Sequence, residues 1–501
     1  MKKFILLMLV TALAALPVLS CAADEDGITQ PEPGLTDEIM EMGMPVNAPD
    51  DGVGEGSEEL LRFPDLPDIH FEGHEFRIIN VAEDQQTHIL KTLVVEEETG
   101  HALNDAILRR NRRMEDRFGF SLTQIDATGP AQVQSRMRTS IQAGSDDFDL
   151  GMTGALQALA MAQEGFIEMI DRIPYIDLSQ PWWDQDMIRD FSIGGRIFFI
   201  SGDFSFNQYS VTMATYFNKQ LHGDLGLDCP YQLVHEGRWT MDRFAEMGRA
   251  GLRDLNGDGI FDYRDQWGFL SGSHVFTVAF MNGMGARFVT KDADDMPVLN
   301  VSSEGFINRF HVLFDILTEN WAFDRRRLTI GSNIDQQEMF LNNHALFWTE
   351  LMNQATFLRV MDSDFGILPQ PKFNEQQDHH ISGTGIPHVM AIPVTSPDLE
   401  RTGIILEALS AESRLTTLHV YFDTMLVNQI MNRDEESAEM LEIIFANRIY
   451  ETGRQFWASQ VVNPIYHAVR DLNRDIVSVI ERNEGAATAA IEATIAAFLD
   501  N

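Results

Sequence analysis

Cysteine is nearly absent from this chain: its 501 residues hold two, Cys21 and Cys229. A disulfide framework is therefore excluded, and stability has to come from a large core, which 44% apolar residues over this length can supply. Basic residues are scarce as well. Lys and Arg number 37 against 76 Asp and Glu, giving a formal charge of −39. Nucleic acid and anionic membrane surfaces are thereby excluded as partners, because both need Lys and Arg. The acid is spread along the chain and suits solubility on a cell surface; it disfavours an anionic ligand, although local Arg clusters remain. Catalytic signatures are missing too: there is no G-x-S-x-G, no H-E-x-x-H and no phosphate-cradling loop. His379-His380 lacks metal-ligand spacing, and Cys229 has no catalytic signature around it and reads as a small core residue. No internal repeat is visible, and the length suggests about three domains or two large lobes.

What is present begins with Lys2 and Lys3, followed by the apolar run Phe4–Val18. The run is long enough for a signal-peptide core and short of the ~18 residues a spanning helix needs. No later run reaches that length. It ends in Val18-Leu19-Ser20-Cys21, which resembles a bacterial lipobox, so residues 1–21 are expected to be a lipoprotein signal peptide with Cys21 acylated. A secretory signal cut near Ala22 or Ala23 is the alternative, and either one exports the chain. With lipid on Cys21, no internal disulfide can form. Residues 22–66, with "ADEDGITQPEPG" and "APDDGVGEGSEE", are too acidic and too poor in aromatics to fold, and read as a disordered tether.

Order begins near His74. "HEFRIINVAE" reads as a strand, "ALNDAILRRNRRMEDRFGF" as an amphipathic helix closed by Gly119, and "SLTQIDA" as the next strand. The helix "AQVQSRMRTSIQAG", the strand "FDLGMTG", the helix "ALQALAMAQEGF" and the strand "GGRIFFISGD" continue the alternation. It predicts an α/β fold with a largely parallel sheet. "GRWTMDRFAEMGRAGL" predicts a helix capped by Thr240, and the chain from 396 onward reads as mostly helical.

Five segments, in this order, resemble bacterial extracellular solute-binding proteins of family 1, the maltose-binding type: "IPYIDLSQPWWDQDMIRDFSIGGRIFFISGDFS", "GRWTMDRFAEM", "ALFWTELM", "FGILPQPKFNEQQ" and "RDEESAEMLEIIFANRIYETG". The resemblance runs from about residue 74 to the C-terminus. It implies a two-lobed periplasmic-binding-protein fold of type II with a ligand cleft between the lobes. The N-terminal lobe would comprise 67–205 and 346–385, and the C-terminal lobe 206–345 and 386–501. Three crossings are expected, near Ser201–Tyr209, His344–Thr349 and Gly383–Ala391, with Gly202, Gly383 and Gly385 permitting hinge torsion. The implied function is the lipid-anchored substrate-binding subunit of an ABC importer. It would sit as a monomer on the outer face of a Gram-positive cytoplasmic membrane, capture a carbohydrate such as an oligosaccharide, and deliver it to permease subunits. A non-transporting receptor feeding a membrane sensor is the alternative, and a surface glycan-active enzyme a more distant one.

"DLNGDGIFDYRD", residues 254–265, has calcium-loop spacing. Asp254, Asn256, Asp258, Asp262 and Asp265 supply side-chain oxygens at positions 1, 3, 5, 9 and 12, Ile260 supplies its carbonyl, and Gly259 makes the turn. Asp265 stands where a Glu is usual, so a weak site is expected. The loop occurs once, which fits a structural staple inside the second lobe better than a sensor or docking module. For the ligand, aromatic plates paired with polar side chains suit sugar faces and hydroxyls. Trp182, Trp183, Trp348 and Tyr466 are the expected plates, with Asp203, Glu350 and His388 as polar contacts. Val278 stands where maltose-type members place a cleft aromatic, and Phe276 or His274 is expected to compensate. Trp239 and Trp267 are expected in the core.

Overall fold

The computed structural model describes residues 62–82, 93–271, 274–324, 336–424 and 436–500, without the side chains of His274, Val275 and Asp324. The signal segment, Cys21 and nearly all of the tether lie outside the described residues. Among the described residues the strands are β1 (His74–Val81), β2 (Phe120–Ala127), β3 (Leu150–Gly154), β4 (Met213–Asn218), β5 (Trp267–Ser271), β6 (Val289–Lys291), β7 (Pro297–Leu299), β8 (Ala322–Asp324), β9 (Ala345–Leu351), β10 (Phe365–Leu368), β11 (Ser382–Gly383), β12 (His388–Ala391) and β13 (Arg448–Ile449). They form two main sheets, ordered β12-β3-β1-β2 and β10-β4-β9-β5-β8.

In the first sheet β1 runs parallel to both β2 and β3, as the strand–helix alternation requires, and β12 adds an antiparallel edge. Phe76, Ile78, Ile79 and Val81 of β1 are fully buried. The helix Ala102–Phe118 packs on this sheet's core with Met114 and Phe118, whereas its Leu103 and Ile107 belong to the other cluster, with Phe206 and Tyr209. Gly119 ends it at φ 64°, its N–H donating to the Glu115 carbonyl, a left-handed cap that a side chain would resist. Asp149, buried just before β3, accepts from the Arg77 N–H and Nε, both at 2.9 Å, and so pins β3 beside β1.

The second sheet is mixed. β5 is parallel to β8 and β9, and β4 is antiparallel to both β9 and β10. The helix Met241–Ala250 packs on β5 so closely that a Cβ at Gly268 would lie 1.9 Å from the Gly248 carbonyl oxygen. Thr240 precedes this helix without capping it through its side chain; the Met241 N–H donates instead to the Lys372 carbonyl. "GGRIFFISGD" does not form the expected strand. Its apolar residues are buried, and single bridges, Ile193 to Arg196, Ile200 to Met390 and Trp183 to Gly202, replace a strand ladder.

The sheets redraw the expected lobe boundaries. Residues 346–385 were expected in the first lobe, yet β9 and β10 pair with β4 inside the second sheet, while β12, expected in the second lobe, pairs with β3 in the first. No crossing falls at His344–Thr349, because β9 continues its own sheet there. The first crossing lies between Ile200, bridged to Met390, and β4. The return lies between β10 and β12, where Thr384 bridges Thr212. After that the helix Leu399–Glu412 packs on Ala102–Phe118, whereas the helix Glu436–Ala446 packs on β10, so the chain has changed sides again by residue 436. The helix Ile476–Asp500 touches both the helix Ala155–Gln163 and β7. The expected hinge glycines serve close packing. Gly202, Gly383 and Gly385 all lack positive φ, and a Cβ there would meet the Trp182 carbonyl oxygen at 2.8 Å, Asn282 Oδ1 at 2.9 Å and Leu351 Cδ2 at 2.7 Å.

Candidate functional site at the lobe junction

The two crossings meet in a buried polar region. It is built from the segment after the first crossing, the short parallel pair β11/β13, and the helix Gln185–Phe191. Asp184 caps that helix by accepting from the Met187 N–H at 3.0 Å. Its other oxygen accepts from the Tyr450 hydroxyl at 2.6 Å. Arg448, on β13, lies beside both Asp184 and Asp186 with Nη2 at 3.4 Å from each, and its guanidinium stands over the Tyr209 ring at 5.3 Å. Burial works against the charge of Arg448, but Asp184, Tyr450 and Asp186 outweigh it and raise its pKa. Asp190 accepts from Arg287 at 2.8 Å, Arg189 at 2.9 Å and the Tyr450 N–H at 2.8 Å. Its burial would raise its pKa, yet those two arginines hold it below the usual carboxylate range.

A second arm contains Asp203. One of its oxygens accepts from Gln208 Nε2 and the Tyr209 hydroxyl, each at 3.0 Å, and the other faces Arg414 at 3.3 Å. Burial pushes this carboxyl up to about 6 in spite of Arg414. Phe206, at φ 51°, holds the left-handed turn that starts the short helix Asn207–Ser210. Its ring stacks on Tyr421 at 5.2 Å, and Tyr209 meets Phe422 at 5.0 Å. Arg454, buried, donates to the Thr384 carbonyl at 2.9 Å, and burial lowers its pKa to about 10. The junction thus combines aromatic rings, hydroxyls and alternating charges, a composition suited to a polar ligand with apolar faces.

Of the expected ligand residues, the fold brings three towards this junction. Asp203 is within it. His388 stands at the start of β12, its N–H donating to Asn207 Oδ1 at 2.7 Å. Glu350, half-buried on β9, supports the charge of Arg454. Of the expected plates, Trp182 and Trp183 border the junction through their backbone, the Trp182 carbonyl accepting from the Asp203 N–H at 2.9 Å and Trp183 bridging Gly202. Trp182 and Trp183 are buried in the first lobe, their indole N–H groups donating to Glu407 at 3.1 and 2.9 Å. Their neighbours and their buried indole nitrogens make them core members as folded. Trp348 packs between Tyr216 and Phe340, both at 5.7 Å, on β9. Phe276 packs on Phe269 at 5.8 Å, in the core with Val278. Tyr466 is half-buried on the helix Asn463–Arg470 beside His467 at 5.5 Å. The His274 side chain lies outside the described residues. The rings at the junction are instead Tyr209, Tyr421 and Phe422. These, with Arg448, Arg414 and Asp184, were missed because the segments that supply them are far apart in sequence. Arg448 and Tyr450 alternating in "NRIYE" is the one local signal that could have marked them.

The acidic loop closes on itself. Asp254 accepts from the Gly257 and Gly259 N–H groups at 2.7 and 2.8 Å, Asn256 from Asp258 and Asp258 from Ile260. Asp265 accepts from the Leu255 and Asp262 N–H groups, and Asp262 pairs with Arg264. The donor set is one a hard cation prefers, but among the described residues no three carboxylate or imidazole groups converge as a metal site would require. The bridge between Arg253 and Gln266 joins the loop ends ahead of β5.

The fold is that of two-lobed solute-binding proteins. UgpB from Mycobacterium tuberculosis, solved with glycerophosphocholine, matches at a TM-score of 0.52 and 14% identity over 85% of this chain and 98% of that one. The ABC substrate-binding protein Lmo0181 from Listeria monocytogenes, solved with cycloalternan, matches at 0.53 and 11%, over 84% and 99%. The sugar-binding protein MalE from Xanthomonas citri matches at 0.53 and 11%, over 85% and 98%. Likeness at such identities is a likeness of fold. No family model matches the chain, and no curated protein sequence matches it.

Proposed function

We propose that this chain is the extracellular substrate-binding component of an ABC importer, of the family-1 solute-binding type, and that it captures a carbohydrate, an oligosaccharide in particular, between its lobes. The observation that carries this reading is the buried polar and aromatic junction where the two crossings meet. Contacts made by groups from both lobes favour a closed form only when ligand is present, which is capture by hinge closure. Structural neighbours solved with glycerophosphocholine or cycloalternan, or described as sugar-binding, support the same class. No reaction is assigned to the protein: its partners would be the small molecule and the permease subunits, and it would act as a monomer. No helix among the described residues is long and apolar enough to cross a membrane. Export and lipid on Cys21 are supported by the lipobox-like Val18–Cys21, and lipid there would keep Cys21 out of the disulfide that Cys229 enters.

The test is a thermal-shift screen of the mature chain against mono- and oligosaccharides. A ligand at ~100 times its dissociation constant adds about 2.7 kcal/mol, a shift of a few degrees or less at this length. A saturable shift with one sugar class is expected. Folded, ligand-free protein that shifts with none would sink the reading.

For the loop 254–265 we propose a weak structural calcium site, supported by its oxygen donors and their spacing. Its dissociation constant is expected at ~0.1–1 mM, as in extracellular modules. Melting in millimolar calcium against a chelator should show a small stabilisation that Asp254→Ala removes. Identical melts would assign the loop to its own hydrogen bonds and the Arg264–Asp262 pair.

A further inference from the structure

The junction leaves a set of buried groups unanswered. Arg448 Nε and Nη1, Ser382 Oγ, Thr384 Oγ1 and Asn207 Nδ2 are buried without a hydrogen-bond partner. Ser382 and Arg448 are register partners in the β11/β13 pair, and Thr384 follows two residues on. The two-residue period of extended chain therefore sets all three on one face. Gly383 takes the opposite face, where Asn282 leaves no room for a side chain. Asn207 joins them from the first crossing, held by its Oδ1 on the His388 N–H.

Each of these five atoms can donate a hydrogen bond, and three can only donate. Buried donors without acceptors forfeit the hydrogen bonds they would make in water, so the arrangement calls for an acceptor-rich guest. The carboxylates beside Arg448 reach only its Nη2 and leave Nε and Nη1 without an acceptor. Asp184 is taken at 2.6 Å by Tyr450 and Asp186 at 2.7 Å by Arg189, whereas Arg448 stays 3.4 Å from both. A second buried guanidinium, Arg454, flanks the same strand through the Thr384 carbonyl. The charge of −39 does not oppose a negative guest here. Acids spread over the surface are screened beyond about 8 Å at physiological salt, and Arg189, Arg287, Arg414 and Arg454 stand against the acids of the junction.

We infer that the cargo presents an oxyanion, as an acidic glycan would, and that Arg448, Ser382, Thr384 and Asn207 receive it on the β11/β13 face. This rests on the carrier reading above and narrows it. Guanidinium and carboxylate are matched in geometry and charge, and the hydroxyls and the amide take up the oxygen lone pairs that remain. A neutral sugar would offer Arg448 Nε and Nη1 only uncharged acceptors.

The experiment is calorimetric titration of the mature chain with tri-galacturonate, its fully methyl-esterified form, a sulfated trisaccharide and an unmodified neutral trisaccharide, in low and high salt. The free acid is expected to bind ~100-fold or more tightly than its ester, as sites built to pair a polar group discriminate against its loss, and to weaken in high salt. Thr384→Val, a nearly isosteric change, should cost ~10-fold for the acid and leave the ester unaffected. Ser382→Ala should act in the same direction. Arg448→Gln should abolish the preference for the acid if it folds; the hydroxyl variants decide the matter if it does not. Stronger binding of the sulfated sugar keeps the oxyanion and identifies an ester as its source. Ester and acid binding alike, binding of the neutral sugar alone, or acid binding untouched by Thr384→Val and Ser382→Ala would overturn the inference while leaving the carrier in place. Folded protein that binds none of the four overturns the inference and counts against the carrier as well.

Discussion

Single residues carry their burial as charge. Glu407 accepts from two indole N–H groups and the Asp177 N–H, and burial still lifts it to about 7. Its ordinary value is 4.5, the value the unfolded chain would show. Between those two pH values the folded state holds more protons than the unfolded one, so this group's contribution falls as pH rises from about 4.5 through 7. Asp203, lifted to about 6 from 3.8, acts with the same sign. Glu407→Gln cannot titrate and leaves an amide N–H facing an indole N–H. The variant should therefore be less stable than the parent at pH 5, by an amount that shrinks towards pH 7.5. Urea unfolding of both proteins across that range checks it, and parallel curves would remove Glu407 from the account. Asp203 was legible as a site residue because it stands at a crossing suggested by the resemblance. The roles of Trp182 and Trp183 were not, because an adjacent pair of indoles suits a cleft or a core equally until a buried carboxylate is found between them.

At the level of elements, helix and strand periods were readable wherever one face is apolar and the other wet. The helix Ala102–Phe118 with its Gly119 cap is an example. "GGRIFFISGD" misled because a run of buried apolar residues fits any wholly internal segment. Glycine shows a related gap. Sequence suggests torsional freedom, whereas Gly268 is required because the helix Met241–Ala250 lies directly against β5, with the Gly248 carbonyl 1.9 Å from where a Cβ would stand. Both contacting parts are backbone, so neither can turn aside. Gly268→Ala is expected to cost about 2–4 kcal/mol by forcing helix and strand apart, read as a drop in the urea midpoint at unchanged slope. A loss below ~0.5 kcal/mol would show that the pair separates freely.

On the scale of the whole molecule, pattern and composition were enough for the α/β class, the alternation that makes β1, β2 and β3 parallel, the acidic charge that disfavours nucleic acid, and, with the resemblance, the two places where the chain leaves and re-enters the first sheet. Those follow from local period, composition and a recognisable order of segments. Packing of the whole chain was needed to put β9 and β10 in the second sheet, to make Trp182, Trp183 and Trp348 core, and to gather residues 184, 203, 207, 382, 384, 414 and 448 in one buried junction. Strand partners are chosen by backbone hydrogen bonds between segments up to 240 residues apart (391 − 151), as in the antiparallel register of His388–Ala391 with Gly151–Gly154. Nothing in a local pattern encodes that choice, because a strand of buried apolar residues satisfies either sheet, and only packing of the complete chain decides between them.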